Sequence, residues 1–212
     1  ASGATNSMRG AAYLSGLSDA MVIDVGGTTT DVGQLKNGFP REANSVVKVG
    51  GVRTLFRMPD LLSIGLGGGS HVQLDPLKVG PISVGYRLLR DGIAFGGKQL
   101  TTTDVAIAAG VLTLGDRAKV AHLDAATCKK VFAEAARLSE EAIDRMKTEA
   151  GDVPLIAVGG GAFLIPEKLP GVSKVIHVQH GDCANAVGAA IAQVSGECDQ
   201  IFKDMTRNEA LA

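Results

Sequence analysis

The stretch MVIDVGGTTTDVGQLKNGFPRE, residues 21–42, decides how this chain is read. An apolar run, MVIDV, has the length and composition of a buried strand and ends near Asp24. A turn on Gly26 and Gly27 follows, and TTDVGQL then reads as a second strand. KNG, from Lys36 to Gly38, is a strong hairpin signal, and REANSVVKV reads as a third strand. Three consecutive strands joined by tight turns make an antiparallel meander. That order argues against the two common nucleotide-binding motifs, in which a glycine loop runs from a strand into a helix.

The turn carries unusual chemistry. A glycine pair lets backbone N–H groups approach an anion without interference from Cβ atoms, and Thr28, Thr29 and Thr30 add hydroxyl donors. Asp24 and Asp31, which flank the turn, only accept hydrogen bonds when ionised. They do not bond phosphate directly, but they suit a magnesium ion or the orientation of an attacking group. The plain alternative is a structural hairpin whose Thr and Asp side chains satisfy their own backbone.

Outward from this stretch, TNSMRGAAYLSG suggests a helix capped at Thr5, Asn6 or Ser7 and stopped at Gly16. From Gly50 to about Gly97 the chain is glycine-punctuated and β-rich, and from Thr103 the pattern turns helical. DAATCKKVFAEAARLSEEAIDRMKTEAG is the clearest helix, with Val131, Ala135, Leu138, Ala142 and Met146 on one stripe and Gly151 as a stop. VPLIAVGGGAF reads as a buried strand opening on Gly159, Gly160 and Gly161. Bare backbone there suits a flat ligand or a phosphate, or equally a structural turn. VSKVIHV is another strand, and DCANAVGAAIAQVSG a helix of small residues, as is the segment around Gly10–Ala12. Such helices can cross closely.

Composition sets the bounds. The chain has 212 residues, 45% hydrophobic and 20% charged, with 28 glycines and a formal net charge of -1. This balance recommends neither nucleic acid nor an anionic membrane as a partner. Apolar runs are strand-sized, so no membrane-spanning helix is expected. Cys128, Cys183 and Cys198 are widely spaced and odd in number, which favours a reducing, cytoplasmic setting. No signal peptide is visible, and a chain that enters a helix at once without an initiator Met is expected to be a fragment of a longer protein.

Helix, phosphate-type hairpin, glycine-ended strand and helix, in this order, resemble the actin-like ATPase superfamily of sugar kinases, heat-shock chaperones and actin. Closer in detail, SMRGAAYLSG, IDVGGTTTDVG, GGVRTLFRMPDLLSIGLGGGS, VGPISVGY and FGGKQLTTTD resemble the hydantoinase/oxoprolinase family, specifically its hydantoinase A domain. The resemblance implies an α/β fold of the ribonuclease-H-like kind: a three-strand meander extended by further strands, helices on the faces, and a β-rich insertion at about residues 50–100. Residues 1–212 would be the C-terminal lobe of a split nucleotide site, inactive alone, whose N-terminal lobe supplies the other phosphate contacts.

The resemblance further implies ATP and magnesium as cofactors. Gly26, Gly27, Thr28, Thr29 and Thr30 would cradle phosphate, and Gly159–Gly161 would meet the adenosine. Asp24 and Asp31 would be catalytic, with Asp24 the metal ligand. The activity would be opening of a cyclic amide such as a hydantoin or 5-oxoproline, possible further partners being a second hydantoinase subunit or domain. An ATP-dependent ketone carboxylase subunit and a non-catalytic actin-like nucleotide-binding module are the alternatives. Gly67, Gly68, Gly69 and Ser70 in GLGGGS are candidates to meet substrate, a β-turn being the other reading. Arg53, Arg57 and Asp60 would bind an anion or pair with one another. His177 and His180, three apart at a strand end, point to opposite faces and do not read as a metal site.

Overall fold

In a computed structural model the described residues are 2–43, 48–49, 52–53, 58–194, 206, 207 and 209. Helix α1 (Ser2–Ser15) leads into β1 (Ala20–Val25), β2 (Thr30–Lys36) and β3 (Phe39–Pro40). It starts earlier than the capping residues suggested, so Thr5, Asn6 and Ser7 lie within it. Its end is as expected: Gly16 takes the left-handed conformation at φ 70° and its amide bonds the Ala12 carbonyl at 2.9 Å, the glycine stop that a helix needs where φ turns positive. The β2–β3 turn has positive φ at both Asn37 and Gly38, the twist that matches a two-residue hairpin.

Two short pairs, β4 (Lys48–Val49) with β5 (Val52–Arg53) and β7 (Ser70–Leu74) with β8 (Leu77–Ser83), are antiparallel, and β6 (Leu61–Ile64) lies between them. Helices α2 (Leu88–Asp91), α3 (Thr102–Ala108) and α4 (Ala125–Met146) follow, then β9 (Val153–Val158), β10 (Val172–His177) and α5 (Ala184–Ala190). The main sheet runs β10–β9–β1–β2–β3, with β1–β9 and β9–β10 parallel and β1–β2–β3 antiparallel. This is the ribonuclease-H-like order that the resemblance implied.

The third lane of the meander departs from expectation. Phe39 and Pro40 pair with one end of β2, and β6 pairs with the other, from Thr30↔Ile64 to Gly33↔Leu61. Of the segment expected to form the strand, Arg41–Val49, the Arg41 amide bonds the Gln34 carbonyl at 2.7 Å, Lys48–Val49 pairs with β5 instead, and residues 44–47 lie outside the described residues. Pro40 has no N–H to continue a ladder, so the lane is completed by a strand about twenty residues later.

Helices cover both faces of the sheet, and strand alternation decides which side chains meet which. Met21, Ile23 and Val25 of β1 and Leu155 and Ala157 of β9 pack in one core with Val131, Ala135, Ala142 and Ile143 of α4. Helix α4 starts where expected but ends at Met146, with Lys147 already extended, before the expected stop at Gly151. Asp124 caps it by accepting from the Thr127 amide at 2.6 Å, and its stripe is buried except for the half-buried Leu138. Ala20 and Val22, Leu35 of β2, and Ile156 and Val158 pack in a second core with Met8, Ala11 and Ala12 of α1 and Ala184 of α5. Helices α1 and α5 cross with no room for a side chain: a Cβ on Gly10 would lie 1.9 Å from the Ala184 carbonyl oxygen, and one on Gly188 1.8 Å from that of Asn6.

Candidate functional site

Asp24 shares its strand face with Ala20 and Val22, so it points towards α1 at the end of β1. Asp31 is its direct cross-strand partner, and two residues opposed in an antiparallel pair project to the same side. The strand pair therefore sets two carboxylates side by side at the mouth of the hairpin. Burial raises the Asp24 pKa above its ordinary value; a hydrogen bond from the Ser7 hydroxyl works against this, and the neighbouring Asp31 charge adds to it. Ser7 is buried and accepts from Asn185 Nδ2 at 3.2 Å, so α1 and α5 both brace the carboxylate. Asp31 accepts a short hydrogen bond from the Ser63 hydroxyl.

The hairpin tip is open. Gly27, Thr28 and Thr29 are exposed, and among the described residues their amides donate to no protein acceptor. The Gly26 amide is closed onto the Thr29 carbonyl at 2.9 Å. Thr30 is placed otherwise than its neighbours: it is buried, and its hydroxyl bonds the Leu66 carbonyl at 2.8 Å. It ties the hairpin to the loop behind it, and no donor of its side chain is left for a ligand.

That loop contains Gly67–Ser70, and its backbone is already engaged. The Gly68 amide donates to the Gly26 carbonyl at 3.0 Å, Gly69 to Gly27 at 2.7 Å, Ser70 to Gly67 at 3.1 Å, and Gly67 to the Ser70 hydroxyl at 2.9 Å. All four residues are buried. A Cβ on Gly67 would stand 2.6 Å from the Thr28 nitrogen and 2.7 Å from the Gly26 oxygen. The backbone expected to be bare towards substrate has its amides bonded within the protein, and these glycines let one loop lie flat against the other. No helix follows the loop; Ser70 begins β7.

The glycines after β9 close the other side. Gly159 has φ 87°, and a Cβ there would lie 2.4 Å from an Asp24 carboxylate oxygen. The Gly161 amide donates to the Val25 carbonyl at 2.8 Å. Gly160 between them is exposed, with nothing within 4 Å of where a Cβ would stand. The structure thus brings Asp24, Asp31, Gly26–Thr29 and Gly159–Gly161 together.

Sequence reasoning missed the bolt beneath. Thr102 Oγ1 donates to the Gly67 and Gly68 carbonyls at 2.6 and 2.8 Å, and Thr103 Oγ1 to Gly68 at 2.7 Å. Thr101 and Asp104 form a capping box that starts α3, a pattern that TTTD displays in the sequence. Asp104 is fully buried and accepts from the Ala94 amide, the Thr101 amide and the Thr101 hydroxyl at 2.7–2.8 Å. Ser83 adds a hydroxyl 3.3 Å from the Gly27 carbonyl.

Other candidates lie elsewhere. Asp60 pairs with Arg41; the side chains of Arg53 and Arg57, and Cys198, fall outside the described residues. Cys128 is buried and Cys183 exposed, both unpaired thiols. Among the described residues no three His, Cys, Asp or Glu side chains cluster as a metal would require, and no helix is long and apolar enough to cross a membrane.

Comparison with known proteins follows the same lines. A family model described as hydantoinase/oxoprolinase matches residues 1–153. The fold is similar to the nucleotide-free structure of an ATP-dependent acetone carboxylase, at TM-score 0.72 and 20% identity over 90% of this chain. It is similar also to the ATP-dependent caprolactamase of Pseudomonas jessenii, at TM-score 0.58 and 22% identity over 86% of this chain. The chain spans 31% of the length of each of these proteins. No curated protein matches it significantly.

Proposed function

The chain belongs to the hydantoinase/oxoprolinase family, and on that premise we propose that it is the ATP-binding lobe of an ATP-dependent cyclic-amide hydrolase. The observation that carries this is the hairpin tip: three consecutive exposed residues, Gly27–Thr29, whose amides have no acceptor among the described residues, beside two adjacent carboxylates. Unpaired N–H groups in a row are the form a phosphate site takes when no helix supplies them. Residues 1–212 then make up the C-terminal lobe, with an insertion at about 50–100, and a second lobe faces it across the nucleotide.

The residues present fit magnesium-ATP. Two carboxylates side by side repel one another and gain from a cation near them, and oxygen ligands suit magnesium. Two are too few to hold the ion alone, which matches a metal that takes its other ligands from phosphate and water. Asp24 is the ligand in this reading, held in place by Ser7 and by the absence of a side chain at Gly159. Gly27, Thr28 and Thr29 donate to phosphate oxygens, and the open face at Gly160 receives the adenosine or ribose. Thr30 and Gly67–Ser70 shape the hairpin from behind. Bound ATP supplies the phosphoryl group that turns an amide oxygen into a better leaving group.

The test is phosphate release by the full-length protein with and without a lactam. Turnover that depends on the lactam and is lost in Asp24→Asn supports the proposal. Turnover that instead requires bicarbonate and a ketone would make the protein a carboxylase, and binding without turnover would make it a nucleotide-regulated module.

A further inference from the structure

A second cleft, of about 430 Å³, opens next to the hairpin and takes no part in the site described. Its lining includes His71 of β7, Arg87, Arg90 and Asp91 around α2, and Lys98 and Gln99 beyond it. Val84 joins cleft to hairpin: it lines the cleft, and its amide donates to the Gly69 carbonyl at 2.9 Å, while Gly69 donates to Gly27. A Cβ on the next residue, Gly85, would stand 3.8 Å from Thr28 Oγ1. The wall of the cleft at Val84 therefore adjoins the segment that packs against the hairpin tip.

The charge there is unbalanced. Asp91 is the single carboxylate, and it is shared between Arg90 at 2.7 Å and Arg87 at 3.4 Å. Arg87 contacts Asp91 and the Val84 carbonyl through Nε alone, so its two terminal amino groups make no hydrogen bond to protein among the described residues. Lys98 has neither a hydrogen bond nor an ion pair among them. Three cations facing one carboxylate leave donors for a further anion, and the planar fork of an arginine matches a carboxylate with two parallel bonds.

The frame is rigid. The Gly97 amide bonds the Gly92 carbonyl at 2.8 Å, and a Cβ on Gly97 would meet the Asp91 carbonyl oxygen at 2.1 Å. Ala94 is anchored by Asp104, the residue that starts α3 beneath the hairpin. Asp104 thus ties the segment behind the cleft to the start of α3.

Resting on the nucleotide reading above, we propose that this cleft is the acceptor subsite, and that it selects a small substrate bearing a carboxylate, held by Arg87 and Lys98 next to the hairpin tip. The probes are 5-oxoproline and 2-pyrrolidinone, which share a lactam ring and differ by the carboxylate. Each is titrated calorimetrically into the full-length protein and into its Arg87→Gln, Arg87→Lys and Lys98→Gln variants, beside separate titrations of magnesium-ATP.

The expected result is 5-oxoproline binding at least about tenfold tighter than 2-pyrrolidinone, the scale of a charge-assisted hydrogen bond. Arg87→Gln and Lys98→Gln each cut that preference, Arg87→Lys keeps part of it, and magnesium-ATP binding is unchanged in all three. These side chains are at the surface, so the melting temperature stays at the wild-type value. Equal binding of the two lactams, no binding of 5-oxoproline, or a preference that survives the substitutions overturns the proposal. So does a loss of magnesium-ATP affinity in the variants, which would make the cleft a phosphate subsite. A carboxylate preference that depends on Arg87 in a protein that binds no nucleotide would overturn the ATP reading and with it the acceptor role, leaving only a carboxylate-binding cleft.

Discussion

Two glycine-rich loops lie against each other in this molecule, and they are built for opposite purposes. Gly26–Thr29 turns outward with three consecutive amides unpaired among the described residues; Gly67–Ser70 is buried with every amide in use. Composition does not separate them, since both are short runs of glycine and hydroxyl residues. The accounting of hydrogen-bond donors does. A loop that leaves donors in water is available to a ligand, and one that has consumed them is a support.

The largest expected effect is on the support. Asp104→Ala would leave the Ala94 and Thr101 amides buried without partners, a loss of about 3 kcal/mol or more. Chemical denaturation should show it, together with weakened magnesium-ATP binding as the hairpin loses its backing. Gly67→Ala comes next, because its Cβ meets only backbone atoms and nothing there yields cheaply. A destabilisation of about 2 kcal/mol is expected, and a change near zero would mean the two loops are not in close contact.

Gly160→Val sharpens the contrast, being a glycine substitution into open space. Stability should stay within about 0.5 kcal/mol of wild type, while nucleotide affinity falls because the branched side chain occupies the face proposed for the adenosine. The smallest effect is a pH dependence. A carboxyl with a raised folded-state pKa contributes stability that is fully present below its ordinary value of 3.8 and is lost as pH rises through the folded value. Asp24→Asn should therefore melt slightly above wild type at about pH 7, and the gap should close on acidification. A gap of the opposite sign would mean that Asp24 is stabilised by a partner rather than burdened by burial.

Much of the frame was legible because its determinants are local. The Asn37–Gly38 turn, the apolar strands β1 and β9, and the stripe of α4 each depend on a handful of adjacent residues. The placing of Asp24 and Asp31 on either side of the turn followed from the hairpin itself, and the strand register then sets them opposite one another. The third lane was not legible, because Pro40 ends the local ladder and Leu61–Ile64 arrives from far along the chain. Nor were the roles of Ser7, Ser63, Thr102 and Asn185, each of which acts on the hairpin region from an element distant in sequence. GLGGGS was ambiguous for a physical reason: a glycine needed for close packing and one needed for a ligand are the same residue.

The central claim is that the hairpin tip holds nucleotide phosphate. Calorimetric titration of magnesium-ATP into the full-length protein, beside Asp24→Ala and Gly160→Val, tests it most directly. Binding that weakens at least about tenfold in both variants, the scale of a lost charge-assisted contact, with stability little changed, is the predicted result. Equal affinity in all three proteins, or none in the wild type, would contradict it.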